Sequence, residues 1–237
     1  SMGTHVGPGS SVVGAGPVPD AELRALLAES WIEAGLAEHA SIASFCRFTL
    51  QLMAVGAPPD LLKASHQAGL DEIRHTEACF ERASHYAGED LAPGPLPLDG
   101  DVLGELDLHQ VMLATIAEGC VGETLAAMEA EICAESCVEG RDKQVMQSIA
   151  KDEARHAALA WRFVQWGLAQ DPSLMDSIQT GLRLGLGPQR PEPAEHPREA
   201  HLLAHGRPTE RLRSSVREQY RAKVLPALLT ELQRQIS

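Results

Sequence analysis

Apolar residues recur every three to four positions through four long segments of this chain, the spacing of helices that each bury one face. The first segment runs from about Asp20 to Val55, with Asp20 placed to cap its start and Ala57-Pro58-Pro59 to stop it. The second runs from about Pro59 to Ala87 and ends at Gly88. The third covers about Glu105 to Glu139, with Gly140 reading as the residue just past its end, and the fourth about Asp142 to Ala169. A short helix fits 173–185. Residues 88–104 and Gly185 to Pro208 are Pro/Gly-rich linkers, and Thr209 to Gln235 is amphipathic but should kink or break at Pro226. The Gly/Pro/Ser-rich stretch 1–19 reads as a flexible tail that lacks the layout of a signal peptide, with Ser1-Met2 as a cloning remnant.

The inward stripes of the four helices carry acids where apolar residues are expected. Glu38 sits among Trp31, Ala34, Gly35, Ser41, Ile42, Phe45 and Thr49. Glu72 sits among Ser65, Ala68, Gly69, His75, Thr76 and Cys79. Glu123 is flanked by Ile116, Gly119, Cys120, Ala126, Ala127 and Ala130, and Glu153 by Met146, Ile149, Ala150, His156, Ala157 and Ala160. Two of these acids belong to a repeat: Asp71-Glu72-Ile73-Arg74-His75 returns as Asp152-Glu153-Ala154-Arg155-His156. Three residues make about one helical turn, so each E-x-x-H pair projects a carboxylate and an imidazole from one face.

The other half of the repeat is weaker. Gly35 to Glu38 aligns with Gly119 to Glu123 only if one residue slips. Depth supports it: Glu38 lies roughly 26 Å from the first hairpin turn and Glu72 about 20 Å, while Glu123 and Glu153 lie about 24 and 17 Å from the second. Each hairpin thus brings its lone glutamate level with its E-x-x-H pair. Glu118 competes for the third-helix position, but on an α-helix it points about 140° away from Glu123. Four carboxylates in a core are prohibitive without cations, and two divalent metals supply four positive charges.

Composition narrows the setting. Only 4% of residues are aromatic and alanine and leucine are abundant, which favours helices. A net charge of −13 argues against nucleic-acid or anionic-membrane surfaces as partners. No apolar run approaches the roughly 20 residues of a membrane span. Five cysteines without C-x-x-C fit free thiols in a reducing, cytoplasmic compartment. Cys46, Cys79 and Cys120 read as small core residues, and Cys133 with Cys137 as packing. His39, His66, His85 and His109 read as surface or cap residues. The basic tail is expected to dock on the acidic bundle.

Glu, E-x-x-H, Glu, E-x-x-H resembles the ferritin-like di-iron carboxylate superfamily over residues 20–170. The resemblance implies an all-α four-helix bundle with a long crossover between helices two and three, and a C-terminal helical extension, 171–237, packed on it. It implies two iron ions, with a manganese–iron pair also admitted: Glu38, Glu72 and His75 serving one metal, Glu123, Glu153 and His156 the other, Glu72 and Glu153 able to bridge. The fuller D-E-x-R-H form is similar to bacterial multicomponent monooxygenases, where the aspartate supports the histidine of the opposite motif. By that likeness Asp71 orients His156, Asp152 orients His75, and Arg74 and Arg155 pair with the aspartates. Cys79 stands where the ribonucleotide reductase small subunit has its radical tyrosine; methane monooxygenase has cysteine there, and a threonine where this chain has Ala127. Both positions are expected beside a pocket, and the small residues of helix three offer space or, alternatively, tight packing.

The expected function is a di-iron oxidase or oxygenase that uses O₂ on a small organic substrate, fed by an electron-donor protein and with homodimerisation in reach. Ferroxidase or rubrerythrin-like peroxide chemistry is the alternative, although the four-cysteine iron domain of a rubrerythrin is absent. A non-redox structural metal bundle is the other.

Overall fold

The computed structural model describes residues 19–236 apart from 99, 101, 105 and 139; the side chains of 231–233, 235 and 236 are also left undescribed. Among these residues the chain is helical and contains no strand. α1 is Ala21–Ala54, with the Asp20 carboxylate accepting from the Leu23 amide at 2.8 Å. α2 is Pro59–Ala87 and ends at Gly88. α3 is Leu108–Ser136, and its middle, Thr115–Glu123, is wound as a π-helix. α4 is Arg141–Gln170. Gly140 does not close α3. It precedes α4 at φ 139°, a backbone angle that favours glycine, while α3 stops at Ser136 with Cys137 already extended.

α1 and α2 form an antiparallel hairpin, and α3 and α4 another. The segment 88–104 starts beside the end of α2, where the Leu91 amide donates to Ser84 Oγ at 2.9 Å. By Leu103 it has reached the far end, where its carbonyl accepts from Gln51 Nε2 at 3.0 Å. The linker therefore travels the length of the helices, and α2 and α3 run parallel. Arg162 of α4 pairs with Asp60 at the start of α2, and Arg82 near its end pairs with Asp142, so α4 runs antiparallel to α2.

The core falls into two clusters, one on each side of the acidic level. One gathers Leu52, Leu61, Val111, Met112, Ile116, Leu159 and Phe163; the other Leu27, Trp31, Tyr86, Cys133, Met146 and Ile149. Cys46, expected in the core, is exposed. α3 is long and apolar enough, by length and composition, to cross a membrane, contrary to the reading of the bare sequence. Buried core helices pass the same test, and α3 packs on α4 and on the helix that follows it.

Beyond α4, a 3₁₀ turn at Pro172–Leu174 leads into α5, Met175–Leu186. α6, Glu199–Ala204, lies within the linker read from sequence. α7 comprises Glu210–Gln219, a π turn Tyr220–Val224, and Leu225–Ile236. The wide turn ends at Val224, with Leu225 between it and Pro226, whose ring and missing N–H a regular helix would not accommodate, so the helix continues, distorted rather than broken, where the sequence allowed a kink or a break. α5 lies close on the π segment of α3: a Cβ on Gly181 would meet Ile116 at 2.8 Å, and one on Gly185 the Ala117 carbonyl at 2.7 Å. Arg207 is buried, with Nε donating to Ser30 Oγ at 3.0 Å and its guanidinium 4.3 Å over the Trp31 ring. The other tail arginines mostly pair within the extension, Arg211 with Glu192 and Glu195, although Arg213 also reaches Glu129 of α3.

One buried ionic knot ties α2, α4 and the extension together. Arg82 Nε donates to Asp142 Oδ1 at 2.6 Å, Tyr86 donates to Oδ2, and His205 Nδ1 lies 3.2 Å from that oxygen. Burial pushes Asp142 upward, but hydrogen bonds from His205 and Tyr86 and the Arg82 charge outweigh it and hold the carboxyl below its usual range. A lowered carboxyl stabilises the fold above its unfolded pKa of about 3.9 and loses that contribution as pH falls through the folded value. Asp142→Asn should therefore cost about 3 kcal/mol at pH 7 by leaving Arg82 buried and unpaired. The difference from the parent should shrink below about pH 4, as followed by denaturant melts at both pH values.

Candidate metal centre

At one level of the four helices, six side chains converge. Glu38, Glu72, His75 and Glu153 form one group, and Glu72, Glu123, Glu153 and His156 another, with the ligand atoms of each group within 4.8 Å of one another. Glu72 and Glu153 belong to both. They are the centre of the site, at 1% and 3% exposure, while the side chains of Glu38 and Glu123 are 17% and 20% exposed.

The imidazoles point Nδ1 inward. His75 Nδ1 lies 3.5 Å from Glu38, 3.6 Å from Glu72 and 3.4 Å from Glu153. His156 Nδ1 lies 3.1 Å from Glu72, 3.7 Å from Glu153 and 4.0 Å from Glu123. Both Nδ1 atoms and both Glu72 oxygens are buried without a hydrogen-bond partner. Such atoms are costly unless something else satisfies them.

The outward Nε2 atoms are held, and held crosswise. His75 Nε2 lies 3.2 Å from Asp152, and His156 Nε2 lies 3.2 Å from Asp71. Arg74 bridges Asp71 at 2.7 Å and Asp152 at 3.1 Å; Arg155 bridges Asp152 at 2.5 Å and Asp71 at 2.8 Å. Gln67 donates a further bond to Asp71 at 2.8 Å. Two acids, two arginines and two histidines thus form one closed ring joining α2 to α4.

With only protons to balance the carboxylates, their titration is pulled apart. Burial, then the neighbouring glutamates, push Glu38 up to about 8, and Glu123 well above the carboxylate range. Burial also pushes Glu72 and Glu153 upward, but the neighbouring imidazoles and their partner glutamates outweigh it and hold both low. Burial works against charge on His156, yet Glu153 and Glu72 raise it to about 9. The donors fit divalent metal: imidazole nitrogens with a supported second nitrogen, surrounded by carboxylates in excess. A buried cluster of this composition could bind a metal ion.

The π segment explains the slipped alignment. A Cβ on Gly35 would meet Cys79 Cβ at 3.2 Å and the Phe80 ring at 2.7 Å; one on Gly119 would meet Ala160 Cβ at 2.6 Å. Cys79 and Ala160 each follow their histidine by one turn, so the two glycines make equivalent close approaches between helices. From Gly35 to the glutamate is three residues and from Gly119 it is four. The extra residue is absorbed in the wide turn, and Glu123 arrives level with Glu38. The same winding overturns the expected 140° between Glu118 and Glu123: an i→i+5 pattern brings the two toward one side.

That side is open. A cavity of about 360 Å³ between α1 and α3 is lined by Glu38, Glu123, Glu153 and His156 at its inner end, with Phe45, Phe48 and Gly119 along the walls. Gly122 and Ala126 line it as well, so some of the small residues of α3 border space. Cys79 and Ala127 do not line it. Cys79 is fully buried behind the cluster, under Gly35, and Ala127 faces a groove between α3 and α4. Arg47, hydrogen-bonded across the gap to Glu118, had no signal in the sequence beyond its place on a facing helix.

No protein-family model, curated protein or solved structure matches this chain.

Because each aspartate fixes the histidine of the other hairpin, Asp71→Ala should loosen His156 and Asp152→Ala should loosen His75. Each should weaken retention of zinc or iron by about 10–100-fold, measured by competition with a chelator while circular dichroism confirms that the helices persist.

Proposed function

We propose that the chain is a ferritin-like, non-haem di-iron oxidase or oxygenase that uses O₂ to oxidise a small organic molecule. The observation that carries the reading is the pair of overlapping ligand groups sharing Glu72 and Glu153, at the inner end of a ligand-sized cavity. The parallel α2 and α3 joined by a long crossover, with E-x-x-H on α2 and α4, support it. When bound, two iron ions supply the electrons for O₂ and the oxidising power toward the substrate.

The chain's own residues have separable tasks. Glu72 and Glu153, which belong to both ligand groups, would hold the metal together with Nδ1 of His75 and His156, and Glu38 and Glu123 would complete the set on the cavity side. Asp71 and Asp152 accept from Nε2 and so fix the rings with Nδ1 turned inward. Arg74 and Arg155 each pair with both of those aspartates. Phe45, whose ring lies 5.0 Å from His156, and Phe48 keep the approach apolar and exclude water.

The cavity favours oxidation of an organic molecule over the rival reading, in which iron itself is oxidised or peroxide reduced. Glu118 and the partly exposed Glu38 and Glu123 are what the rival draws on, as an acidic route for incoming iron.

Protein loaded with ferrous iron should hold about two equivalents per chain, and combined Glu153→Ala and His156→Ala should abolish that content. Rapid mixing with O₂ should give a transient absorbance and leave the iron bound. Much faster oxidation by H₂O₂ than by O₂ favours the scavenger, many irons turned over into mineral favours storage, and no oxidation by either makes the metal structural.

A further inference from the structure

The cavity beside the cluster has a polarity of its own. Its inner end is acidic, its walls carry Phe45, Phe48, Leu159 and Ala160, and its mouth is spanned by Arg47 of α1 and Glu118 of α3. Arg47 is the one lysine or arginine among the described lining residues. The two partners are unequally placed: the Arg47 side chain is 28% exposed and that of Glu118 is 58%. Arg47 has its stem along the apolar wall, whereas Glu118 can turn back to water at little cost. Ion pairs this exposed contribute roughly 0–1 kcal/mol, so an incoming anion can exchange for Glu118. A guanidinium presents two parallel N–H groups to a carboxylate, a match that a neutral head group cannot reproduce.

We propose that the cavity takes a monocarboxylate with an aliphatic body, its carboxylate held by Arg47 in place of Glu118 and its chain lying between Phe45 and Phe48 with the far end toward the glutamate–histidine cluster. The volume of about 360 Å³ lies at the small end of the range for ligand sites, roughly 300–1,000 Å³, which suits a single medium chain. Arg47, as the one cation among the described lining residues, fixes the end of the cavity at which the anionic head lies and so sets the direction of entry. The binding step stands on Arg47 and the cavity alone; that the far end is the part oxidised rests on the function proposed above.

Calorimetric titration of zinc-loaded and metal-free protein with decanoate, decanol and decylamine tests this. Decanoate should bind at least about tenfold more tightly than the other two, in both forms of the protein. Arg47→Gln should weaken decanoate by about 10–100-fold and leave decanol unchanged, Arg47→Lys should restore part of the loss, and Glu118→Gln should tighten decanoate. Circular dichroism and zinc content show that the variants are folded. Equal binding of decanoate and decanol, preference for decylamine, or indifference to Arg47 overturns the proposal. So does decanoate binding that requires zinc and ignores Arg47, since the head group then sits on the metal. If the protein takes up no metal while Arg47-dependent decanoate binding persists, the proposed function fails and this assignment stands.

Discussion

Charge that cannot be left alone organises this protein. Four glutamates and two histidines occupy one level of a helical core, and two more acids stand directly behind the histidines. The outer acids are balanced within the chain, by Arg74 and Arg155, each of which reaches both. The inner ones are not: among the described residues no arginine or lysine forms an ion pair with them, and the inward nitrogens of both imidazoles lack a hydrogen-bond partner. The core divides into two apolar clusters because this level interrupts it. The energetic argument for bound cations is therefore local and does not depend on any likeness to other proteins.

The two hairpins are near-copies, and their difference is informative. In the first, a regular α-helix brings Glu38 to the site. In the second, a helix with one residue too many brings Glu123 to the same level by winding wider. That winding turns Glu118 toward Arg47 and places Gly119 and Gly122 on the cavity wall. The close approach of α5, through Gly181 and Gly185, lies on the outside of the same stretch. The site has a closed face, where the histidines and aspartates lie, and an open face created by the irregular helix.

The long helices, their caps and the buried faces were legible because the apolar period is strong and the breaks are marked by Pro58-Pro59, Gly88 and Asp171-Pro172. The crosswise pairing of Asp71 and Asp152 followed from the repeated pentapeptide together with its family likeness. The π winding was not legible: Thr115–Glu123 has the composition of any helix, and its single trace was a one-residue slip in a weak alignment. The direction of Glu118 was not legible because α3 is irregular there, while Cys79 and Ala127 lie off the cavity that opens beside the cluster. Cys46 was misplaced because a lone small residue on an amphipathic helix carries little directional signal. α6 was missed because six residues give periodicity too little length to register.

The crossed pairing of aspartates and histidines also bears on the order in which the molecule is made. His75 must wait for Asp152, 77 residues further along, and Asp71 is completed only by Arg155 and His156, 84 and 85 residues beyond it. A ribosome releasing the first hairpin delivers a glutamate pair and an imidazole whose ring is free to turn either nitrogen outward. Only when α4 docks does the ring acquire a fixed tautomer. The cluster is thereby completed only at a late stage of synthesis, and a chain truncated before α4 has no second hairpin to lock the first.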